Sequence, residues 1–189
     1  MKKLLAAIRA SDLEMVRQII EKKPELVNCV AKKPPKKDDG QSPLQVALKT
    51  GNTAIANYLL DMGADVNFIE DETCCNAWRT PVLHDAINCA VMSCRWNTDD
   101  KYMGFREFST KERSVEALGV LKKMLDMGAD VKALDSYGNS GLNRFALQAK
   151  QILPSYNYVE HREGADRIFT EELHEDLRSV LQALKDAGA

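Results

Sequence analysis

The sequence contains no long hydrophobic run and no excess of charge of one sign. No stretch of its 189 residues approaches the ~18 apolar residues that a membrane span requires. The net charge of -2 and the pI near 6.0 give no basic field, so we expect neither nucleic acid nor an anionic membrane as partner. The apolar run from Leu4 to Ile8 stops at Arg9, whereas a secretory signal needs about 7–15 apolar residues. These absences predict a cytoplasmic protein.

Paired cysteines and catalytic motifs are also missing. The five cysteines are odd in number and irregularly spaced, which suits a reducing compartment. Cys74 and Cys75 are adjacent, and Cys89 and Cys94 are five residues apart, unlike the Cys-x(2–4)-Cys pairs of structural zinc sites. No phosphate-binding loop, dinucleotide-binding glycine motif, zinc-protease motif or nucleophile elbow occurs. The sequence therefore predicts free thiols, no cofactor and no enzyme; a zinc site that combines these cysteines with His84 is the alternative.

What the chain does contain is a repeat. The seven residues Leu-Asp-Met-Gly-Ala-Asp-Val occur at Leu60–Val66 and again, unchanged, at Leu125–Val131. A degraded third copy, Leu184–Ala189, closes the sequence. Repetition of this kind is the signature of a solenoid built from stacked supersecondary units.

The first 40 residues predict two short helices followed by a loop. Apolar residues at helical spacing break at Ala10, and Ser11–Glu14 fits a capping box that begins the second helix. That helix ends before Pro24. Cys29–Asp39, which includes the lysine-rich segment Lys32–Lys37, has no hydrophobic period and predicts an exposed loop. The loop is either a solvated connection or a docking site for an acidic partner.

Two segments at a fixed separation reveal a resemblance to a known family. Ser42-Pro-Leu-Gln-Val-Ala47 begins a unit that Leu59-Leu-Asp-Met-Gly-Ala-Asp-Val-Asn67 ends, and Thr80-Pro-Val-Leu-His-Asp-Ala86 begins another. The chain thereby resembles the ankyrin-repeat family, whose unit of about 33 residues starts Thr-Pro-Leu-His and ends Gly-Ala-Asp-Val-Asn. The resemblance implies an all-α solenoid of stacked helix-turn-helix units, in one domain of four repeats: 1–38, 39–71, 72–134 and 135–189.

The last two repeats are too long for that family. The repeat ends at Gly63, Gly128 and Gly188 are 65 and 60 residues apart, so each repeat holds roughly 30 extra residues. Helical spacing that persists from Val82 to Trp96 and from Leu142 to Leu153, with a capping box at Ser109–Glu112, predicts lengthened helices in both repeats.

Aromatic residues concentrate at these extensions. Seven of the twelve aromatic residues lie in or beside the two inserted loops: Trp96, Tyr102, Phe105, Phe108, Tyr156, Tyr158 and Phe169. Aromatic side chains dominate the energetics of protein interfaces. Trp96, Tyr102, Phe105, Tyr156 and Tyr158 are therefore candidate partner-binding residues. The alternative is that they only pack the loops against each other.

The resemblance adds a second candidate surface, because the family binds proteins through its hairpin-loop tips and the inner face of its first helices. The tip positions are Asp38, Asp39, Gln41, Asn76, Ala77, Arg79, Ser136, Tyr137 and Asn139. Trp78 stands where the family usually has glycine; it is either a partner anchor or folded onto the following hairpin. His84 matches the histidine whose ring bonds backbone groups of the next turn, a structural role.

These features predict a scaffold that binds a protein partner. An inhibitor or immunity-type protein that blocks a partner enzyme is the first alternative, and only the identity of the partner distinguishes it. An enzyme or metal-binding domain built on the inserted loops is the second.

Overall fold

The computed structural model describes residues 1–32, 38–70, 72–164 and 166–189. Most of the lysine-rich loop, residues 33–37, lies outside the described residues. The helices are α1 (Lys2–Arg9), α2 (Leu13–Lys22), α3 (Pro43–Lys49), α4 (Thr53–Asp61), α5 (Val82–Met92), α6 (Lys111–Asp126), α7 (Gly141–Ala149) and α8 (Glu171–Asp186), with a 3₁₀ turn at Pro24–Asn28. Two antiparallel hairpins, β1 (Asn97–Asp100) with β2 (Gly104–Glu107) and β3 (Tyr156–Asn157) with β4 (Arg162–Glu163), complete the structure.

The helices stack in two rows. The first helices of the four units, α1, α3, α5 and α7, pack in sequence, and so do the second helices α2, α4, α6 and α8. Their facing sides form one hydrophobic cluster that runs from Leu4 to Leu184. The all-α solenoid expected from the repeats is confirmed.

Side chains at the helix starts explain where the helices begin. Ser42 and Ser140 each form a capping box with the residue three positions later, which satisfies two orphan backbone donors. The expected box at Ser11 is wrong by one residue: Asp12 accepts from the Met15 N–H, while the Ser11 hydroxyl donates to Asn52 Oδ1.

The box expected at Ser109 is displaced in the same way. The Ser109 hydroxyl donates to the Ser93 carbonyl at 2.6 Å, and Thr110 accepts from the Arg113 N–H instead. In both places the serine hydroxyl donates to a residue of another element, and the residue after the serine caps the helix.

The doubled motif forms the same structure in both copies. Gly63 and Gly128 have φ of 83° and 88°, a left-handed conformation that ends a helix and favours glycine. In each case an asparagine of the preceding repeat bridges the motif. The Asn28 amide contacts the Gly63 carbonyl and the Asp65 N–H, and Asn67 makes the equivalent bonds to residues 128 and 130. The hydrogen bonds of this bridge are therefore the same in the stretched third repeat as in the second.

Lengthening falls mainly on the second helices. Helices α6 and α8 have 16 residues each, whereas α4 has nine. Helix α5 has 11 residues and α7 nine, against seven in α3. The first helices do not run on to Trp96 and Leu153 as expected, because the chain leaves each helix and forms a β-hairpin.

Candidate functional site

The two inserted segments form one structure. The Asp99 N–H donates to the Asp166 carbonyl at 2.8 Å. The Asn97 side chain, itself buried, donates to the Ile168 carbonyl and accepts from the Ile168 N–H. Strand β1 therefore lies between β2 and the segment 166–168 that returns from the second hairpin.

An ion pair joins the first insertion to the last helix. Arg95 donates to both Asp176 carboxylate oxygens at 2.8 and 3.0 Å and lies 3.2 Å from Glu175. Burial opposes ionisation of Asp176, but the hydrogen bonds from Arg95 prevail and hold the pKa of Asp176 below its ordinary value. The planar guanidinium with two bonds to one carboxylate fixes the direction in which the hairpin leaves the solenoid.

Trp96 belongs to this anchorage. Its ring is half-buried and stacks on Phe108 with centroids 4.2 Å apart and an interplanar angle of 10°. The Arg167 guanidinium lies 5.6 Å from the Trp96 ring centroid, and the indole N–H donates to the Met92 carbonyl at 3.3 Å. Trp96 thus packs at the base of the hairpin.

The other aromatic residues of the hairpins are exposed. Tyr102 and Phe105 of the first hairpin are 89% and 53% exposed, and Tyr158 of the second is 78% exposed. Tyr156 is half-exposed and makes an edge contact with Tyr158 at 4.9 Å. Met103 and Val159 extend the apolar area at the two turns; both are more than two-thirds exposed.

At the loops that connect the repeats, Trp78 is folded onto the next connecting loop rather than onto either β-hairpin. Its indole N–H donates to Asp135 at 2.9 Å, and the Arg144 guanidinium lies 4.6 Å from the ring centroid. The buried Asp135 carboxylate also accepts from Asn139 and pairs with Arg144 at 3.2 Å. Burial works against its ionisation, yet the bonds from Trp78 and Asn139 lower the pKa of Asp135 well below its usual range. Trp78 therefore connects the third repeat to the fourth, and Asn139 holds Asp135 within the fourth.

The first loop tip is also engaged within the chain. Asp39 and Gln41 are buried. The Asp39 carboxylate accepts from the Cys75 N–H at 2.8 Å, and its carbonyl accepts from Asn76. A β-carbon on Gly40 would collide with Cys74, so the first two tips are in close contact.

The third tip contacts the second through Ser136, which exchanges hydrogen bonds with Arg79. Tyr137 is 69% exposed, whereas Arg79 is half-buried and lies 3.7 Å from Glu72. Of the tip residues singled out in the sequence, Tyr137 is the large side chain most available to a partner.

A family model described as ankyrin repeats (3 copies) matches residues 3–94. The chain is an ankyrin-repeat protein. Ankyrin repeats are generally protein–protein interaction modules. The match ends at the residue before Arg95, and the ankyrin stacking continues beyond it through α6, α7 and α8. No curated protein matches the chain significantly.

The ankyrin frame, by which we mean the stacked helices α1 to α8 with their connecting loops, explains the role of the His84 ring. Its Nε2 lies 3.2 Å from the Ala133 carbonyl oxygen, so this nitrogen carries the proton and donates. Burial lowers the pKa of His84 and favours the neutral ring. This is the structural contact that the resemblance implied.

The cysteines of the ankyrin protein are free thiols. Cys89 and Cys94 are buried, and burial raises their pKa values to about 11 and about 12. Cys75 is exposed. Within the described ranges, no three His, Cys, Asp or Glu side chains are grouped so that they could hold a metal ion. Likewise no described helix has the length and hydrophobicity to cross a membrane.

A buried polar cluster between the second and third repeats was missed in the sequence. The Lys49 ammonium lies 3.2 Å from Glu70 and 3.8 Å from Asp85, and Gln45 donates to Asp85 at 3.1 Å. Thr80 donates its N–H to Glu70 at 3.3 Å. Burial raises the pKa of Asp85 to about 7. The available signal was Asp85 itself, the one carboxylate in the largely apolar helix α5.

Proposed function

We propose that this ankyrin protein recognises a protein partner through the hairpin surface, which we define as Tyr102, Met103, Phe105, Tyr158 and Val159. The observation that carries the proposal is that all five large side chains are between 53% and 89% exposed. They lie on two insertions whose bases are ordered by other residues. Large apolar side chains exposed on two insertions that meet at their bases are unfavourable in water, and such exposure marks interaction sites.

The anchorage supports binding because it orders the bases of the two hairpins. Arg95 with Asp176, Trp96 with Phe108, and Asn97 with Ile168 hold the hairpins before any partner arrives. A surface that is already ordered loses less conformational entropy on association.

The chemistry of the surface favours a protein over nucleic acid. Tyrosine combines an apolar ring with a hydroxyl and is enriched at protein interfaces. The charged residues of the two hairpins have both signs: Lys101, Arg106 and Arg162 against Asp99, Asp100, Glu107 and Glu160. Such a mixture gives no basic stripe for phosphates.

The test is a comparison of matched serine substitutions. The Tyr102→Ser/Phe105→Ser/Tyr158→Ser protein should keep the melting temperature of the parent and lose a partner that the parent captures from cells. Tyr137→Ser removes a tyrosine that is similarly exposed but lies on a loop tip, and it should retain that partner. Capture retained by the triple variant and lost with Tyr137→Ser would overturn the proposal.

Photo-crosslinking locates the contact directly. A photoreactive residue at position 158 should crosslink to the captured partner, and one at position 137 should not.

A further inference from the structure

A second surface lies at the N-terminal end of the solenoid, away from the hairpins. There α1, α2 and the 3₁₀ turn enclose a groove of about 520 Å³. None of its lining residues belongs to α3 or α4, the helices on which α1 and α2 stack. The groove is therefore formed by the first helix pair and the 3₁₀ turn alone.

The floor of the groove is apolar. Met1, Leu4, Met15, Ile19 and Leu26 line it. Leu4 is fully buried, whereas Met1 and Met15 are 39% and 43% exposed. Methionine side chains are flexible and polarisable, and they suit a surface that adapts to a partner.

The rim of the groove is basic. Lys2, Lys3, Lys22 and Lys23 line it, and the remaining lining residue, Gln18, is neutral. Among the residues that the structure describes, no aspartate or glutamate lines the groove; Glu14, Glu21 and Glu25 lie on the same elements but outside it. All four lysines are exposed, and within the part of the chain that the structure describes none of them forms an ion pair.

We infer that this groove binds an amphipathic helix of a protein partner whose apolar stripe is flanked by glutamate or aspartate. Helices α1 and α2 have eight and ten residues, so each is about 12–15 Å long. That length matches about two to three turns of a docked helix, with apolar anchors at i, i+3 or i+4, and i+7. Carboxylates beside the stripe would face the four lysines, and such complementarity steers association and fixes register.

The inference does not depend on the hairpin surface. It uses the opposite end of the chain, and the two surfaces share no residue.

The probe is a synthetic 14-residue peptide with leucines on one helical face and glutamates beside them. The control peptide has the same composition in a scrambled order. With the methionine methyl groups labelled by ¹³C, titration of the probe should shift the Met15 and Met1 resonances in a saturable manner. Met62 and Met127 are matched internal references, since they are 38% and 44% exposed at the C-terminal ends of α4 and α6, and they should not move.

Charge reversal tests the rim. The Lys2→Glu/Lys22→Glu variant should bind the probe about tenfold more weakly or worse, with a smaller dependence on salt. Lys122→Glu/Lys185→Glu carries the same change in net charge, and it should bind like the parent.

Four results would overturn the inference: no saturable shift of Met15; equal shifts with the scrambled peptide; equal binding by the two double variants; or a Met15 shift that follows the protein's own concentration, which would indicate a second copy. Binding to vesicles of phosphatidylserine and phosphatidylcholine without binding to the probe would equally contradict it.

Discussion

The doubled motif places the same leucine in two different environments. Leu60 closes the second repeat and is 2% exposed, whereas Leu125 closes the stretched third repeat and is half-buried beside an open groove between α6 and α8. Gly63 and Gly128 nevertheless keep the same helix-stop conformation and the same asparagine bridge. The insertions therefore leave the backbone frame intact and change what lies around it.

The largest expected effect tests this difference in packing. Leu60→Ala should lower the free energy of unfolding by about 2–5 kcal/mol, as for a fully buried leucine. Leu125→Ala should cost less, because part of its side chain is already in water. Urea denaturation of the two variants measures both values, and equal costs would mean that the two copies are packed alike.

The next effect separates the two roles of aromatic residues in the insertions. Trp96→Ala should destabilise the protein by about 2 kcal/mol, less than the roughly 3–5 kcal/mol of a fully buried tryptophan. The loss comes from the Phe108 stack and the contact with Arg167. A change near zero in the same denaturation assay would show that the hairpin base contributes nothing to stability.

A fall in pH should change the contribution to stability in opposite directions at Asp85, in the stacked helices, and at Asp176, beside the insertions. In the frame, the pKa of Asp85 is raised by burial from 3.8 to about 7, with Lys49, Glu70 and Arg144 as its charged neighbours. The folded state then binds a proton that the unfolded state has lost, so the contribution of Asp85 to stability should fall as pH rises from about 4 to 7. Asp85→Asn should remove this slope from the unfolding free energy measured across that window.

At the insertions, Asp176 has a lowered pKa in the folded state. Its stabilising contribution should be present above pH 4 and lost as pH falls through the folded-state pKa. Asp176→Asn should be less stable than the parent at neutral pH and should lose less on acidification. A parallel pH profile for Asp85→Asn and Asp176→Asn would contradict the assignment of opposite signs.

The smallest expected effect concerns the hairpin surface. Tyr158→Ala and Tyr102→Ala should each change the free energy of unfolding by no more than about 0.5 kcal/mol, because the rings lie mostly in water. A loss comparable to that of Trp96→Ala would mean that these tyrosines pack the loops rather than meet a partner.

The sequence predicted the frame because similar local signals recur along the chain. Capping serines, helical spacing and glycine stops all recur near their expected positions. The hairpins were not predicted, because β1 consists of Asn97, Thr98, Asp99 and Asp100, residues with mostly low strand propensity. Contacts with Asp166 and Ile168, some 70 positions away, stabilise that strand.

The candidate site could be predicted only in part for the same reason. Aromatic clustering located the hairpin surface, but burial separated Trp96 from Tyr102 and Tyr158. The sequence alone did not decide whether Trp78 is a partner anchor or an internal contact. Its partner Asp135 is 57 residues away, and no local pattern connects the two.

Amide hydrogen exchange in the native protein tests the central claim, a continuous ankyrin frame carrying exposed hairpins, most directly. We predict that amides of residues 117–124 in α6 and 177–184 in α8 exchange as slowly as those of residues 56–60 in α4, while residues 101–104 and 157–161 at the hairpin turns exchange fast. Exchange in α6 and α8 as fast as at the turns would show that the frame ends where the insertions begin, and would contradict the account.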